Sequence, residues 1–152
     1  MAIKRSAKAF LLAAALLLAF LMAGPGSGQE VSEYGNPFTW VTVGQVAVQA
    51  EVVRTPEKLY QGLSHRQELP AGRGMLFVMP RLEVQHFCMR GMEFPLDFLW
   101  LVPGRVVGVE KNVPAAYPGT LTSPGPVSHV LEVPGGFCDT YGIRAGDPAS
   151  WQ

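Results

Sequence analysis

The sequence contains few of the residues that build metal sites or nucleic-acid-binding surfaces. Of its 152 residues, two are Cys and three are His, while 12 are Lys or Arg and 12 are Asp or Glu. The histidines, His65, His86 and His129, are scattered and lack the spacing of a metal-ligand set. No block of basic residues is interleaved with aromatic residues, which is the pattern typical of nucleic-acid binding. We therefore expect no metal, no cofactor and no nucleic-acid partner.

The first 28 residues have the organisation of a secretory signal peptide. Lys4, Arg5 and Lys8 precede an uninterrupted apolar run at residues 9–23, and small residues follow it. This run is shorter than the roughly 20 residues that span a bilayer comfortably. We predict a signal peptide at residues 1–28 and export to the periplasm or the exterior. An uncleaved N-terminal membrane anchor is the alternative.

The two cysteines, Cys88 and Cys138, both follow the predicted signal peptide. They are not spaced as a redox Cys-x-x-Cys motif, and in an oxidising compartment such a pair favours a disulfide. The bridge would close a loop of about 50 residues and stabilise the fold by about 4 kcal/mol in the chain-entropy model. We predict a Cys88–Cys138 disulfide; two buried free thiols are the alternative.

Short apolar segments separated by Gly and Pro predict a β-rich fold. Residues 38–44 and 46–53 alternate in the manner of strands, and Thr55-Pro56-Glu57 predicts the start of a short helix that stops at Gly62. Residues 96–102 form an almost continuous apolar run, which indicates a strand buried on both faces. Further strands are predicted at 75–79, 85–90, 105–111 and 127–133, a proline-rich surface loop at 113–126, and a second short helix at 137–141. The pattern indicates a compact α+β domain, with an antiparallel or mixed sheet or a partly closed barrel and one or two short helices.

Short motifs follow one another along the chain in a fixed order: Arg54-Thr55-Pro56-Glu57, Gly62-Leu63, Arg66, Leu69-Pro70, Gly74-Met75-Leu76-Phe77-Val78, Phe87-x-Met89-Arg90, Pro95-Leu96-Asp97, Gly104-Arg105-Val106-Val107, Ser123-Pro124-Gly125-Pro126, Val130-Leu131-Glu132 and Tyr141-Gly142-Ile143-Arg144-x-Gly146-Asp147. This succession resembles the family called domain of unknown function 192 (DUF192). No single motif is specific, but their order is. The family is biochemically uncharacterised, so the resemblance implies a fold and no activity. We predict one domain similar to this family at 38–148, with a flexible lead-in at 29–37 and a tail at 149–152.

The chain departs from the family pattern at both of its cysteines. Where the family usually reads Phe-Trp-Met-Lys-Asn-Thr, this chain has Phe87-Cys88-Met89-Arg90-Gly91-Met92, and the family usually has no cysteine where Cys138 stands. In an exported chain this double departure is what a newly acquired disulfide would look like. Any polar site built on the Asn-Thr pair is in doubt in this chain.

Asp97 is the first candidate for a functional residue. On an alternating strand it shares a face with Leu99 and Leu101, so we expect its carboxylate to be partly buried and to need a charged or hydrogen-bonding partner. Arg66 and Arg90 could supply that partner. The functional interpretation is a polar site with a perturbed carboxylate, and the alternative is a structural Asp–Arg pair.

Other arrangements have weaker support. His86 and Cys88 share a strand face, but side chains two residues apart on a strand rarely touch, so catalysis by Cys88 is not expected. Glu93, Glu110 and Glu132 could include a pair of catalytic acids, but the sequence places no two of them together. The aromatic and methionine side chains around the central strands are typical of a core, with an apolar ligand pocket as the alternative.

Three functions remain open on the sequence. The first is a small binding or accessory module that holds an unidentified small ligand or protein at Asp97, Arg66 and Arg90. The second is a hydrolase-like enzyme at the same site. The third is a protein–protein interaction module that uses the proline-rich loop at 113–126.

Overall fold

The computed structural model describes residues 30–152, which form a closed seven-stranded barrel, a two-stranded sheet and two short helices. The strands are β1 Phe38–Val43, β2 Val46–Val53, β3 Arg73–Glu83, β4 His86–Phe87, β5 Leu96–Val102, β6 Gly104–Val113, β7 Leu121–Thr122, β8 Val127–Pro134 and β9 Pro148–Trp151. The helices are α1 Pro56–Gln61 and α2 Phe137–Tyr141. The predicted signal peptide at 1–28 lies outside the described residues. Within residues 30–152, no helix is long and apolar enough to cross a membrane.

The barrel has the strand order β1-β2-β3-β8-β5-β6-β9. The β2–β3 pair is parallel, and the other barrel pairs are antiparallel. Strand β9 closes the barrel because it pairs with β1 on one side and β6 on the other. The predicted β-rich α+β class is confirmed, and the barrel is fully closed. Residues 149–151 of the predicted tail belong to the closing strand.

Helix α1 connects the two parallel strands and begins and ends where the sequence predicts. The Thr55 side chain accepts a hydrogen bond from the backbone N–H of Lys58, and Pro56 occupies the first helical turn, where no backbone donor is needed. Gly62 follows the helix with a φ of +50°, a conformation that glycine adopts most easily. A Cβ at Gly62 would also lie 3.2 Å from the Phe77 ring. The chain therefore turns sharply here, towards the outer face of the barrel.

Two clusters of apolar side chains pack on opposite faces of the barrel wall. The interior cluster takes residues from every barrel strand, from α2 and from the segment after α2, namely Val41, Val43, Val48, Ala50, Leu76, Leu99, Leu101, Val106, Leu131, Val133, Phe137, Cys138, Ile143 and Ala149. The outer cluster comprises Val53, Leu63, Met75, Phe77, Met89, Leu96, Phe98, Trp100, Val113, Leu121, Val127 and Val130. Strand β5 contributes to both clusters, which confirms that it is buried on both faces. Because the outer cluster lies on the outside of the barrel, other segments of the chain must pack over β3, β8 and β5 to shield it from solvent.

Part of that cover is the small sheet of β4 and β7. His86 pairs with Thr122 and Phe87 with Leu121. The strand predicted at 85–90 is thus reduced to two residues, and the predicted loop at 113–126 contains a strand with Leu121 buried. The Phe87 ring packs edge-on against three buried aromatic rings, those of Phe77, Phe98 and Trp100. Burial of Leu121 and Phe87 explains why this segment is held against the barrel.

Candidate functional site

Asp97 lies on the interior face of β5 and is fully buried. Its Oδ1 accepts hydrogen bonds from the backbone N–H groups of Asn112 (2.7 Å) and Gly136 (3.0 Å), and its Oδ2 accepts one from that of Cys138 (2.7 Å). Gly136 precedes α2 and has no side chain to cap it, so Asp97 satisfies donors at the start of that helix. The expected burial of Asp97 is confirmed, but its partners are backbone groups rather than an arginine.

Arg66 is buried beside a different acid, Glu51 of β2. Its Nη2 donates to Glu51 Oε2 at 3.0 Å, and the same carboxylate accepts from Ser32 Oγ (2.9 Å) and Asn36 Nδ2 (2.7 Å). Burial acts to raise the pKa of Glu51, but the hydrogen bonds from Arg66, Asn36 and Ser32 outweigh it and leave that pKa below its ordinary value. Tyr34 covers the guanidinium, which lies 3.7 Å from its ring centroid. The predicted lead-in therefore supplies three contacts to this ion pair.

Arg90 does not form an ion pair with Asp97. Its guanidinium lies 4.2 Å from the centroid of the Tyr60 ring, and among residues 30–152 it forms no ion pair. The structure thus does not bring the three predicted site residues together. Each has its own environment: backbone donors for Asp97, Glu51 for Arg66 and a tyrosine ring for Arg90.

The predicted Cys88–Cys138 disulfide is wrong, because both cysteines are free thiols. Cys138 belongs to the interior cluster, whereas Cys88 is exposed on the outer side of the barrel wall. A disulfide needs Cβ atoms about 4 Å apart, and side chains on opposite faces of a barrel wall do not meet that condition. Burial and the neighbouring Asp97 raise the pKa of the Cys138 thiol to about 12. Cys138 is therefore an unreactive core residue.

A cavity of about 320 Å³, here called the Glu132 cavity, opens between α1 and β4 on the outer face. Its apolar walls include Tyr60, Phe77, Met79, Phe87 and Met92. Its polar groups include His86, Cys88, Arg90 and Glu132. Phe77 and Phe87 also belong to or pack on the outer cluster, so the cavity is a gap in the cover of that cluster.

Glu132 is the one acid among the described residues that line this cavity, and its relative exposure is 5%. It lies on β8 between Met75 of β3 and Phe98 of β5, which are its cross-strand neighbours. Burial raises the pKa of Glu132 to about 8, and the charge of Arg66 opposes this shift. No hydrogen bond from a described residue contributes to that pKa. At neutral pH the side chain is therefore mostly a protonated carboxyl group.

From the sequence, Glu132 was one of three acids that could form a catalytic pair, with Glu93 and Glu110. Glu93 and Glu110 do not line the Glu132 cavity, so no acid pair forms there. The signal that could have singled out Glu132 is its position in Val130-Leu131-Glu132-Val133, where one acid interrupts an otherwise apolar segment of β8. His86, predicted on the same strand face as Cys88, lines the same cavity and places Nδ1 3.1 Å from Thr122 Oγ1.

A second cavity, of about 710 Å³, surrounds the Glu51–Arg66 pair and the residues of the lead-in. Glu51 and Arg66 pair with each other there, and Glu33 and Glu68 also line this cavity. Arg73, which also lines it, has a buried Nη1 without a hydrogen-bond partner among the described residues and lies 5.0 Å from the Phe38 ring centroid. The Glu132 cavity differs because its buried acid is unpaired.

The fold and the sequence both have counterparts among known proteins. The structure is similar to that of a protein of unknown function from Novosphingobium aromaticivorans, with 29% sequence identity, a TM-score of 0.78 and coverage of 83% of this chain and 94% of that chain. It is also similar to a protein from Sinorhizobium meliloti described as a "putative transcription regulator", with 25% identity, a TM-score of 0.71 and coverage of 80% of this chain and 97% of that chain. No curated protein matches the chain in sequence. The family model described as "Uncharacterized ACR" matches residues 39–151, so the chain belongs to the DUF192 family.

Proposed function

We propose that the protein is an exported binding module that holds a small ligand in the Glu132 cavity. The observation that carries the proposal is a carboxyl group that is 5% exposed, lines a cavity and takes no hydrogen bond from the described residues. The carboxyl oxygens of Glu132 are not among the fully enclosed, unpartnered side-chain atoms of residues 30–152, so they remain reachable from the cavity. A ligand in the cavity can therefore hydrogen-bond to Glu132 directly.

The surroundings of Glu132 support the same proposal. Ligand cavities usually combine apolar walls with a few convergent polar groups, and perturbed ionisable residues are concentrated at functional sites. The cavity walls are aromatic rings and methionine side chains, and Glu132 and Arg90 supply the polar groups. Two of the three residues predicted for a polar site remain involved: Arg90 lines the cavity, and Arg66 acts on Glu132 through its charge. In this proposal the acid of the polar site is Glu132, whereas the sequence predicted Asp97.

Export rests on the composition of residues 1–28, which have a basic start, an apolar run and small residues. We expect the full chain to appear in the exported fraction of a bacterial host with an N-terminus between residues 24 and 30, as measured by intact mass. An intact chain in the membrane fraction would support the anchor alternative. Retention of the intact chain in the cytoplasm would contradict export.

The binding proposal can be tested by NMR on the purified exported protein. We expect a mixture of small aromatic and aliphatic fragments to shift the amide resonances of residues that line the Glu132 cavity. Cys88→Trp should abolish those shifts, because an indole at this exposed lining position occupies cavity volume. Thr42→Trp is the matched control, since Thr42 is exposed on β1, away from β3 and β8. Fragment shifts that are identical in wild type and Cys88→Trp would contradict the proposal.

A hydrolase-like enzyme at the same cavity is the second candidate. The observation in its favour is that His86 and Cys88 line the cavity together with Glu132, whose pKa of about 8 suits a general acid. We expect such an enzyme to turn over ester or amide substrates in an activity screen and to lose turnover in Glu132→Gln. Ligand binding without turnover would favour the binding module.

A further inference from the structure

We infer that the ligand of the Glu132 cavity is a small organic acid with an apolar body. Its carboxylate pairs with Arg90 at the exposed end of the cavity, its body lies against the aromatic and methionine walls, and Glu132 donates a hydrogen bond from the buried end. This inference rests on the proposed binding function and specifies the chemistry of the ligand.

Arg90 is available to bind an anion. Its guanidinium lies over the Tyr60 ring and takes no part in an ion pair or side-chain hydrogen bond with any of residues 30–152. A guanidinium carries five N–H donors in a planar fork that matches the two oxygens of a carboxylate. Contact with an aromatic ring restricts the side chain, so less entropy is lost when a carboxylate binds. Arg90 therefore has the free donors and the position that an acid requires.

The side chains that line the empty Glu132 cavity carry a net positive charge at pH 7. Burial keeps Glu132 mostly protonated at pH 7, since its pKa is about 8, so no carboxylate among the lining residues offsets the positive charge of Arg90. An amine would need the ionised form of Glu132, which reduces its affinity about tenfold at pH 7. It would also approach the positive charges of Arg90 and Arg66. An acid meets neither cost, and the protonated carboxyl of Glu132 can donate to one of its oxygens or to a hydroxyl or carbonyl group nearby.

The volume of the Glu132 cavity limits the size of the ligand. At about 320 Å³ the cavity is at the small end of the range for ligand sites, which is roughly 300–1,000 Å³. The walls formed by Phe77, Phe87, Met79 and Met92 suit an aryl ring or a short alkyl chain. A highly charged or large polar ligand would leave these walls without contacts. An arylalkyl or short-chain monocarboxylic acid fits both the walls and the volume.

The test compares three probes that share one apolar body: 4-phenylbutyrate, 4-phenylbutanol and 4-phenylbutylamine. At pH 7, with the exported protein and calorimetry or NMR titration, we expect the acid to bind at least about tenfold more tightly than the alcohol or the amine. Arg90→Gln should weaken the acid about tenfold or more and leave the alcohol unchanged. Arg144→Gln is the matched control, because Arg144 is exposed in the segment between α2 and β9, and it should change neither affinity.

A pH series provides a second measurement with the same probes. Binding of the acid to wild type should weaken as the pH rises through about 8, because Glu132 then ionises and repels the carboxylate. Glu132→Gln keeps a hydrogen-bond donor and removes the ionisation, so its affinity should stay constant over that pH range. A wild-type affinity that is independent of pH would overturn the role of Glu132.

The outcomes separate this inference from the proposed function. Tighter binding of the alcohol or the amine, with NMR shifts at the cavity residues, would overturn the acid and retain the binding site. Failure of all three probes and of the fragment mixture to shift the cavity residues would overturn both.

Discussion

Asp97 and Glu132 are both buried carboxyl groups, and they lie on neighbouring strands of the same barrel wall. Asp97 faces the interior and accepts three backbone hydrogen bonds, which is the full support that a buried acid needs. Glu132 faces outwards into a cavity and has only the charge of Arg66 to oppose its burial. Burial alone therefore does not distinguish the two acids; they differ because Asp97 has hydrogen-bonding partners, whereas Glu132 faces an open cavity without one.

The two cysteines follow the same division. Cys138 lies at the interior site and donates its backbone N–H to Asp97. Cys88 lies at the Glu132 cavity, exposed to solvent. Each region thus combines one buried acid with one thiol, and the interior region is closed to solvent while the outer region is open.

Loss of Asp97 should have the largest effect. Asp97→Ala leaves three backbone donors near α2 without their acceptor, and we expect the free energy of unfolding to fall by about 5 kcal/mol. Urea denaturation followed by circular dichroism measures this loss. Asp139→Ala is the control, because Asp139 is an exposed acid on the same helix and should cost far less. Equal losses in the two variants would show that α2 does not depend on Asp97.

Glu132 should make stability depend on pH in the opposite sense to a paired acid. The unfolded carboxyl ionises near pH 4.5 and the folded one near 8, so between these values only the folded state holds the proton. The free energy of unfolding then falls as the pH rises, by up to about 1.4 kcal/mol per pH unit. We expect wild type to lose about 3 kcal/mol relative to Glu132→Gln between pH 5 and 8.

Urea denaturation of both proteins across this pH range gives the difference. Glu93→Gln controls for the removal of one acidic residue, since Glu93 is exposed. Parallel stability curves for wild type and Glu132→Gln would mean that Glu132 is solvated or hydrogen-bonded in the folded protein, and the contrast with Asp97 would disappear.

The thiols should differ in reactivity with no change in stability. We expect iodoacetamide to modify Cys88 in the folded protein, because that residue is exposed. Cys138 should react only after unfolding in urea, because burial and Asp97 raise its pKa to about 12. Peptide mass spectrometry without reduction measures the extent of modification of each thiol. Protection of both thiols in the folded, non-reduced protein would indicate that a bridge forms after all.

Much of the fold could be predicted from the sequence because its signals are local. The hydroxyl of Thr55, the ring of Pro56 and the φ of Gly62 define α1 within a few residues, and the alternation of β2 and the apolar run of β5 define strands. Strand β9 gave no such signal, because its short segment becomes a strand only when β1 and β6 are both beside it. Closure of the barrel is therefore a long-range property.

The candidate site was harder to predict because it depends on which face each side chain occupies. Asp97 was correctly expected to be buried, but its backbone donors around α2 come from distant parts of the chain. The disulfide was predicted because the chain has two cysteines and was expected to reach an oxidising compartment. In the structure these cysteines lie on opposite faces of the barrel wall. Glu132 could be placed in a cavity only once α1 and β4 were packed beside β8.

The pairing of β9 with β1 has a consequence for how this chain folds. Val41 is hydrogen-bonded to the strand that contains Trp151, so barrel closure joins segments from opposite ends of the described chain. Contacts between residues so distant in sequence slow folding, because the entropy of a long loop is lost before they form. A chain that emerges from N-terminus to C-terminus cannot close the barrel until its last strand is available. Until residues 148–151 are in place, the edges of β1 and β6 that pair with β9 stay open, so a chain truncated before β9 would expose two unpaired strand edges.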